Sequence, residues 1–171
     1  MPEPLSATLP APPQGPTVRS FCPADQAAAR SLIQSGLAEH FGFSDEHANP
    51  DLDDIAASYP AQGHLFLIAE TGGEVVGTAA MLRAGPESGR IVRVSVARYC
   101  RRQGVARALM AHLWDDAWRR GLPRLWVETN DDWRDAIGLY TALGFEEYAR
   151  GDGSVFLSRW LSPCNPYRRS A

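Results

Sequence analysis

The sequence predicts an α/β (α+β) fold with a mixed, largely antiparallel sheet of about seven strands and with four helices. Segments with strand and helix periodicity follow one another in the order β-α-α-β-β-β-α-β-α-β-β. Thr71-Gly72-Gly73-Glu74 joins two β-rich runs, which is a hairpin signal. A strand, a helix and a further strand lie between Arg90 and Thr129, and such a βαβ unit brings its two strands parallel.

Composition limits the class of protein. A chain of 171 residues is long enough for one well-packed domain and short for two. The net charge of −3 argues against a general nucleic-acid binder, and no apolar run approaches the roughly 20 residues that span a bilayer. Cys22, Cys100 and Cys164 show no paired spacing, and no export signal is recognisable. We therefore expect a cytoplasmic protein that binds neither nucleic acid nor membrane.

The N-terminal part begins with a stretch rich in proline and small side chains, which predicts a flexible tail over residues 1–16. Alternating apolar residues then predict a strand, and Asp25 is suited to cap the helix that follows it. The predicted elements are a strand over 17–21, a helix over 25–37, a loop over 40–54 and a short helix over 51–59.

The C-terminal part alternates strands and helices. Gly121 and Pro123 end one predicted helix, and Gly144 ends the other. The predicted strands are 65–70, 75–82, 90–97, 124–129, 146–150 and 154–160, and the predicted helices are 105–118 and 133–143. We expect one domain over residues 17–162, followed by a C-terminal tail over 163–171.

The segment from Arg101 to Ala106 predicts an anion site. It connects an apolar strand to an amphipathic helix through a basic turn that contains Gly104. The first turn of a helix leaves backbone N–H groups unpaired at the positive end of the helix dipole. A phosphate-bearing ligand is therefore expected here. A nucleotide-binding P-loop fits poorly, because no Gly-Lys-[Ser/Thr] follows. A simple βα turn with incidental arginines remains the alternative.

Two motifs lie close together in the second half of the chain. Arg101-x-x-Gly104-x-Ala106 follows a strand that ends in Val94-Ser95-Val96, and the segment from Ala136 to Phe145 comes one helix and one strand later. The first is similar to the acetyl-CoA motif, and the second to the Ala-Ile-x-Leu-Tyr-x-x-x-Gly-Phe segment, of the GNAT family of acyl-CoA-dependent N-acetyltransferases. The match is tight over residues 90–147, whereas 17–89 and 148–162 agree in element order alone.

The resemblance implies a GNAT-like fold and acetyl-CoA as cosubstrate. The backbone of the loop would bind the CoA pyrophosphate, and the strand before the loop would pair with the pantetheine amides where it separates from its neighbour. Its two arginines would meet phosphates or remain solvated. The residues expected to bind CoA are Val94, Val96, Arg101, Arg102, Gln103, Gly104, Val105, Ala106 and Asn130.

Tyr140 occupies the family's Leu-Tyr position, so the resemblance implies that its phenol is the acid that protonates the leaving thiolate. The alternative is a tyrosine packed in the core. Many relatives have a glutamate on the strand before the loop, and this chain has none there. Glu128, on the following strand, is the candidate base, or else a surface glutamate. Trp133 stands where the family often has asparagine, and Asn130 either takes over that CoA contact or caps the next helix.

The resemblance implies an N-acetyltransferase that moves an acetyl group directly to a primary amine of a small molecule or peptide. A non-catalytic acyl-CoA-binding module is the alternative, supported by the missing strand glutamate. The loop over 41–51 has two phenylalanines and three carboxylates, which would suit a cationic, partly apolar amine or anchor the loop to the core. No metal-ligand spacing is present, so no metal is expected. A homodimer is compatible with the resemblance.

Overall fold

The structure, a computed structural model, describes residues 15–43 and 48–168. The predicted tail over 1–16 lies almost wholly outside the described residues. The strands of the described part are β1 (Thr17–Ser20), β2 (Leu65–Thr71), β3 (Glu74–Arg83), β4 (Ser88–Val96), β5 (Arg124–Asn130), β6 (Glu146–Gly151) and β7 (Ser154–Trp160). Its helices are α1 (Gln26–Phe41), α2 (Ile55–Ser58), α3 (Val105–Arg119) and α4 (Arg134–Ala142).

The described strands form one seven-stranded sheet in the order β1-β2-β3-β4-β5-β7-β6. Neighbouring strands are antiparallel except β4 and β5, which are parallel and are connected through α3. This arrangement confirms the predicted fold class. It also confirms the predicted crossover, because a parallel pair of strands needs a long connection over one face of the sheet.

The helices before β2 differ from the prediction in length. α1 continues to Phe41 and ends at Gly42, whose φ of 74° is the left-handed conformation that closes a helix. The predicted helix over 51–59 is the single turn α2, with 3-10 turns at Pro50–Leu52 and Pro60–Gln62 on either side. Asp54 starts α2 separately from the turn before it, because its side chain accepts from the Ala57 N–H and caps the helix. Pro60 ends α2, because proline lacks the N–H that a continuing helix needs.

Each face of the sheet has its own core. On one face, Leu109, Leu113 and Trp114 of α3 pack with Leu125 and Val127 of β5 in the larger cluster. On the other, Ala29 and Ile33 of α1 and Ile55 of α2 pack against Phe66, Ile68 and Ala80. No helix of the described ranges combines the length and the apolar character of a membrane span.

The start of α3 lies unusually close to β3. A Cβ placed on Gly77 would lie 2.6 Å from Val105 Cγ1 and 3.1 Å from Leu109 Cδ1, well inside normal contact. Glycine at this position therefore lets the first turn of α3 rest directly on the sheet. The predicted anion loop, which ends where α3 begins, is held against β3 in consequence.

The described residues of the predicted C-terminal tail over 163–171 pack against the domain. Tyr167 is buried in the larger core, and its hydroxyl donates to the Leu143 carbonyl at 2.5 Å. Asn165 Nδ2 donates to the Ala111 carbonyl at 2.8 Å, and Arg168 pairs with Asp115 of α3. One buried aromatic ring, one ion pair and several side-chain hydrogen bonds hold this segment, and none of them has a periodicity that a sequence pattern would show. The packed unit therefore extends to residue 168.

Arg19 fixes the sheet edge to the start of α1. Its guanidinium donates to Asp25 at 2.7 and 2.8 Å and to Glu70 of β2 at 2.9 Å. Asp25 is buried and also accepts from the Cys22 backbone N–H at 2.8 Å. The hydrogen bonds from Arg19 lower the pKa of Asp25 to about 2, against the opposing effect of burial.

We expect Asp25→Asn to lower the free energy of unfolding at pH 7 by roughly 1–2 kcal/mol, allowing for solvent around the half-exposed Arg19. Because the pKa of Asp25 is lower folded than unfolded, this contribution is present above about pH 4 and disappears as the pH falls toward 2. Urea unfolding of both proteins from pH 7 to pH 2 measures it. Asp53→Asn, in an exposed pair with Arg30, is the control and should cost less than about 0.5 kcal/mol. A difference that stayed constant with pH would contradict the assignment.

Candidate active site

An opening in the middle of the sheet is the main feature of the site. β4 and β5 pair from Ser88 and Arg124 only as far as Ile91 and Val127. β4 continues to Val96 beside β3, and β5 continues beside β7. The inner edge of β4 beyond Ile91 is therefore unpaired with β5. An extended ligand can add to such an edge through main-chain hydrogen bonds, and the edge includes the predicted residues Val94 and Val96.

The loop after β4 exposes a helix N-terminus. Residues 101–104 form an exposed turn, and Gly104 precedes α3 with a φ of 87°. A Cβ at Gly104 would have open space around it, so glycine is favoured there by the backbone conformation rather than by crowding. The helical ladder begins with Ala108 N–H and the Gly104 carbonyl at 2.9 Å. The earlier N–H groups, those of Val105 and Ala106 included, are left for an anion.

The side chains of this loop differ in what they contact. Arg101 Nη2 donates to Glu39 of α1 at 2.7 Å, and its Nε donates to the Val96 carbonyl at 3.2 Å. Gln103 Nε2 donates to the Tyr99 carbonyl at 2.8 Å. Arg102, at a φ of 62°, is exposed and has no ion pair within the described chain. Of the two arginines, Arg102 therefore has the charge that is free for a phosphate.

Tyr140 lies on α4 with its ring in the larger core. The ring packs edge-on against Phe145 at 5.7 Å between centroids. Burial raises the pKa of Tyr140 above its ordinary value, so the phenol stays protonated through the neutral range. Its hydroxyl forms no hydrogen bond with any residue of the described ranges. A protonated hydroxyl without a partner is a donor that a ligand can use.

Glu128 lies one residue beyond the last β4–β5 pair, on the edge of the opening. Arg90 Nη2 donates to its Oε2 at 2.8 Å, and the Ser154 hydroxyl donates to its Oε1 at 3.1 Å. Arg90 also lies over the Trp126 ring at 5.0 Å. Both carboxylate oxygens are thus engaged. To accept a proton from a substrate, Glu128 would have to break its ion pair with Arg90 or act through a water molecule.

Asn130 is exposed at the end of β5, and its backbone carbonyl accepts from the Trp133 N–H at 3.1 Å. Trp133, not Asn130, is the N-cap residue of α4, and its side chain makes no capping hydrogen bond. The Asn130 side chain is therefore not used as a cap.

The end of α1 lies over the opening. A Cβ at Gly36 would be 3.4 Å from Ser95 Oγ, so α1 passes close to β4. One turn later His40 stacks on Trp133 with 4.2 Å between ring centroids and an interplanar angle of 6°. This stack connects α1, which packs on β3 and β4, to the segment that leaves β5. Neither residue was singled out from the sequence as a contact.

The loop over 41–51 is described only in part, since 44–47 lie outside the described residues. Phe41 and Phe43 are exposed, which does not fit the interpretation that they anchor the loop to the core. Asp51, one of the three carboxylates expected to suit a cationic amine, pairs instead with Arg93 of β4.

Arg93 and its partners form a polar cluster that sequence reasoning missed. Its guanidinium donates to Asp51 at 2.9 and 2.5 Å and to Asn49 at 2.8 Å, and the Tyr59 hydroxyl donates to Asp51 at 2.5 Å. The available signal was a charged residue inside the apolar run 91–96. No group of three or more His, Cys, Asp or Glu in residues 15–43 and 48–168 is placed to hold a metal ion.

Comparison with known proteins agrees with this architecture. Residues 30–145 match the family model of the acetyltransferase (GNAT) family. The chain is 31% identical over 147 residues to the N-acetyltransferase YjgM of Escherichia coli K12, across 81% of this chain and 88% of that protein.

Solved structures share the fold. An acetyltransferase of the GNAT family from Staphylococcus aureus Mu50 superposes with a TM-score of 0.79 at 20% identity, over 86% of this chain and 100% of that one. The structure of yncA from Salmonella typhimurium, with its cofactor acetyl-CoA, gives a TM-score of 0.70 at 22% identity, over 92% of this chain and 100% of that one. The sequence match, the separated strands and the exposed helix N-terminus agree, and the chain belongs to the GNAT family of acetyltransferases.

Proposed function

We propose that this protein transfers an acetyl group from acetyl-CoA to a primary amine of a small molecule or peptide, directly and without a covalent enzyme intermediate. The observation that supports it most is the free edge of β4 beyond Ile91, which leads straight into the exposed turn 101–104. In a chain of this family, an extended strand edge next to an anion site suits acetyl-CoA, which has a diphosphate and an arm that contains amide groups.

On the donor side, the backbone N–H groups of Gln103, Gly104, Val105 and Ala106 would bind the pyrophosphate. Arg102 would add charge, whereas Arg101 would first have to leave Glu39. Asn130, exposed at the end of β5, would contact the cosubstrate from the other side of the opening.

On the edge of β4, the backbone of Val94 and Val96 would pair with the pantetheine amides. The N–H of Val96 would polarise the acetyl carbonyl, where negative charge develops during transfer. The Val96 carbonyl already accepts from Arg101, so this strand end is held in place.

The chemistry then needs a neutral amine and a stabilised thiolate. An α-amine, with a pKa near 7.8, is neutral in roughly one molecule in ten at pH 7, but a lysine-like amine in well under one in a thousand. Because Arg90 and Ser154 already engage Glu128, this carboxylate suits the less demanding acceptor, an α-amine, better than a lysine. Tyr140 would donate its proton toward the leaving sulfur.

Calorimetry with acetyl-CoA, followed by a thiol-release assay over α-amines and lysine-like amines, tests the proposal. We expect binding in the micromolar range and turnover that is faster with α-amines. Binding without turnover on any amine would instead support a non-catalytic acyl-CoA-binding module. Absence of binding would contradict both functions.

We expect Tyr140→Phe to lower kcat by about 100-fold, the usual contribution of a general acid, while the Kd for acetyl-CoA changes by less than about threefold. Tyr167→Phe is the matched control, since it removes another buried hydroxyl and should lower stability without lowering kcat. Because burial raises the pKa of Tyr140, the wild-type kcat should not fall on the alkaline side below about pH 10. A large loss of acetyl-CoA affinity in Tyr140→Phe would contradict the acid role.

We expect Glu128→Gln to lower kcat/KM at pH 7 by about 100-fold for a lysine-like amine and less for an α-amine. The deficit should shrink as the pH rises toward the pKa of the acceptor, because the amine then needs no base. Rates from pH 6.5 to 9.5 measure this. Glu147→Gln, which also removes a carboxylate paired with an arginine, is the control and should leave the rates unchanged. A pH-independent deficit would argue against proton transfer.

A further inference from the structure

β4 contains a bulge at Arg93. Thr78 of β3 pairs with Ser95, but Ala80 pairs with Val92, so Arg93 and Val94 together oppose the one residue between them on β3. Arg93 has a φ of 56°, a left-handed conformation that is strained for a residue other than glycine. The Thr78 hydroxyl donates to the Arg93 carbonyl at 2.8 Å.

The bulge changes which face of the sheet each later residue of β4 occupies. Ile91 packs in the larger core, and Val92 packs in the core under α1 and α2. Regular alternation would place Val94 and Val96 with Val92, yet both pack against the larger core. Ser95 instead faces Gly36 of α1. The orientation of the strand edge at the opening is therefore a consequence of the extra residue.

The bulge coincides with the end of the β4–β5 pairing. The last paired residue of β4 is Ile91, and the bulge follows immediately. On its β5 side, the part of β4 that contains the bulge is paired with no strand of the described residues. What holds the bulged backbone must come from β3 and from the side chains that contact it.

The side chain of Arg93 supplies such a contact. It makes two hydrogen bonds to Asp51 and one to Asn49, which ties β4 to the 3-10 turn ahead of α2. The exposed fractions of the Arg93 and Asp51 side chains are 21% and 28%, so the pair is largely shielded from water. Burial alone would raise the pKa of Asp51, but the hydrogen bonds from Arg93 and Tyr59 outweigh it and lower that pKa, so both partners stay charged.

A contribution to stability does not by itself explain the ion pair between Arg93 and Asp51. Shielded ion pairs often add little net free energy, because the cost of removing charges from water offsets their attraction. Glycine would adopt the same φ without strain. Unlike glycine, the arginine also fixes the position of the bulge relative to the turn at 50–52, through its hydrogen bonds to Asp51 and Asn49.

We infer that Arg93 is a positioning residue: its ion pair with Asp51 fixes the bulge, and the bulge sets the direction of the Val94–Val96 backbone at the opening. An effect of Arg93 on the reaction rests on the proposed acetyl transfer. The fixing of the bulge by the ion pair does not, because the ion pair, the bulge and the opening are features of the fold.

Two variants separate the side chain from the backbone conformation. Arg93→Gly keeps a residue that adopts the positive φ but removes the guanidinium. Asp51→Asn keeps the shape of the partner but removes its charge. Arg30→Gln, which breaks the ion pair with Asp53 on the same side of the sheet without touching β4, is the matched control.

The first measurement is hydrogen exchange, which needs no activity. We expect the amides of Val94, Ser95 and Val96 that are protected in the wild type to exchange at least about tenfold faster in Arg93→Gly and Asp51→Asn, while those of α3 are unchanged. Arg30→Gln should exchange like the wild type. Unchanged exchange at 94–96 in both variants would overturn the inference, and so would an equal increase throughout the protein, which would show a global loss of stability.

The second measurement is kcat together with the Kd for acetyl-CoA. We expect kcat to fall about tenfold in both variants and the Kd to rise, because the Val94–Val96 backbone would both hold the pantetheine amides and place the acetyl carbonyl, whereas Arg30→Gln should change neither. Wild-type kcat in both variants would overturn the positioning role. If the wild type itself acetylated no amine, the proposed function would fail, and the exchange result would still decide whether the pair fixes the bulge.

Discussion

The early end of the β4–β5 pairing is the constraint on which the site depends. Four residue pairs join the two strands, and beyond Ile91 and Val127 each strand keeps only its other neighbour. The separation is possible because β3 and β7 hold the two strands from outside, and because α3 and the core beneath it span both halves of the sheet. An unpaired backbone edge in the centre of a sheet costs free energy unless water or a ligand satisfies it. The fold therefore leaves an edge there whose backbone groups water or an extended ligand can satisfy.

The charged side chains around the opening form ion pairs between residues of different structural elements. Arg101 pairs with Glu39, Arg90 with Glu128, and Arg93 with Asp51. Each pair joins a strand or loop at the opening to another part of the chain. The first two are partly exposed and so contribute little to stability, but they determine which groups are available to a ligand.

The sequence predicted a structural feature correctly wherever residues close to it in the chain determine it. Periodicity and turn residues located the strands, the crossover helix and the Gly104 turn, because a few neighbouring residues decide them. The bulge at Arg93, the ion partners of Arg101 and Glu128, and the anchoring by Tyr167 depend on residues distant in the chain. Nothing within the strand 90–97 shows that Thr78 and Ala80 are not paired in simple register. The motif positions were thus predictable, but not their electrostatic surroundings.

The stack of His40 on Trp133 has a mechanical consequence. The two halves of the sheet are joined at one end by backbone hydrogen bonds between β4 and β5 and on one face by the larger core. Across the opening they are joined by this aromatic contact, beside which His40 Nε2 lies 3.4 Å from Asp132 Oδ1. An aromatic pair contributes about 0.5–1.5 kcal/mol, far less than a ladder of backbone bonds within a packed sheet. Resistance to widening therefore differs along the opening: the β4–β5 ladder holds its closed end more strongly than the stack holds its far end.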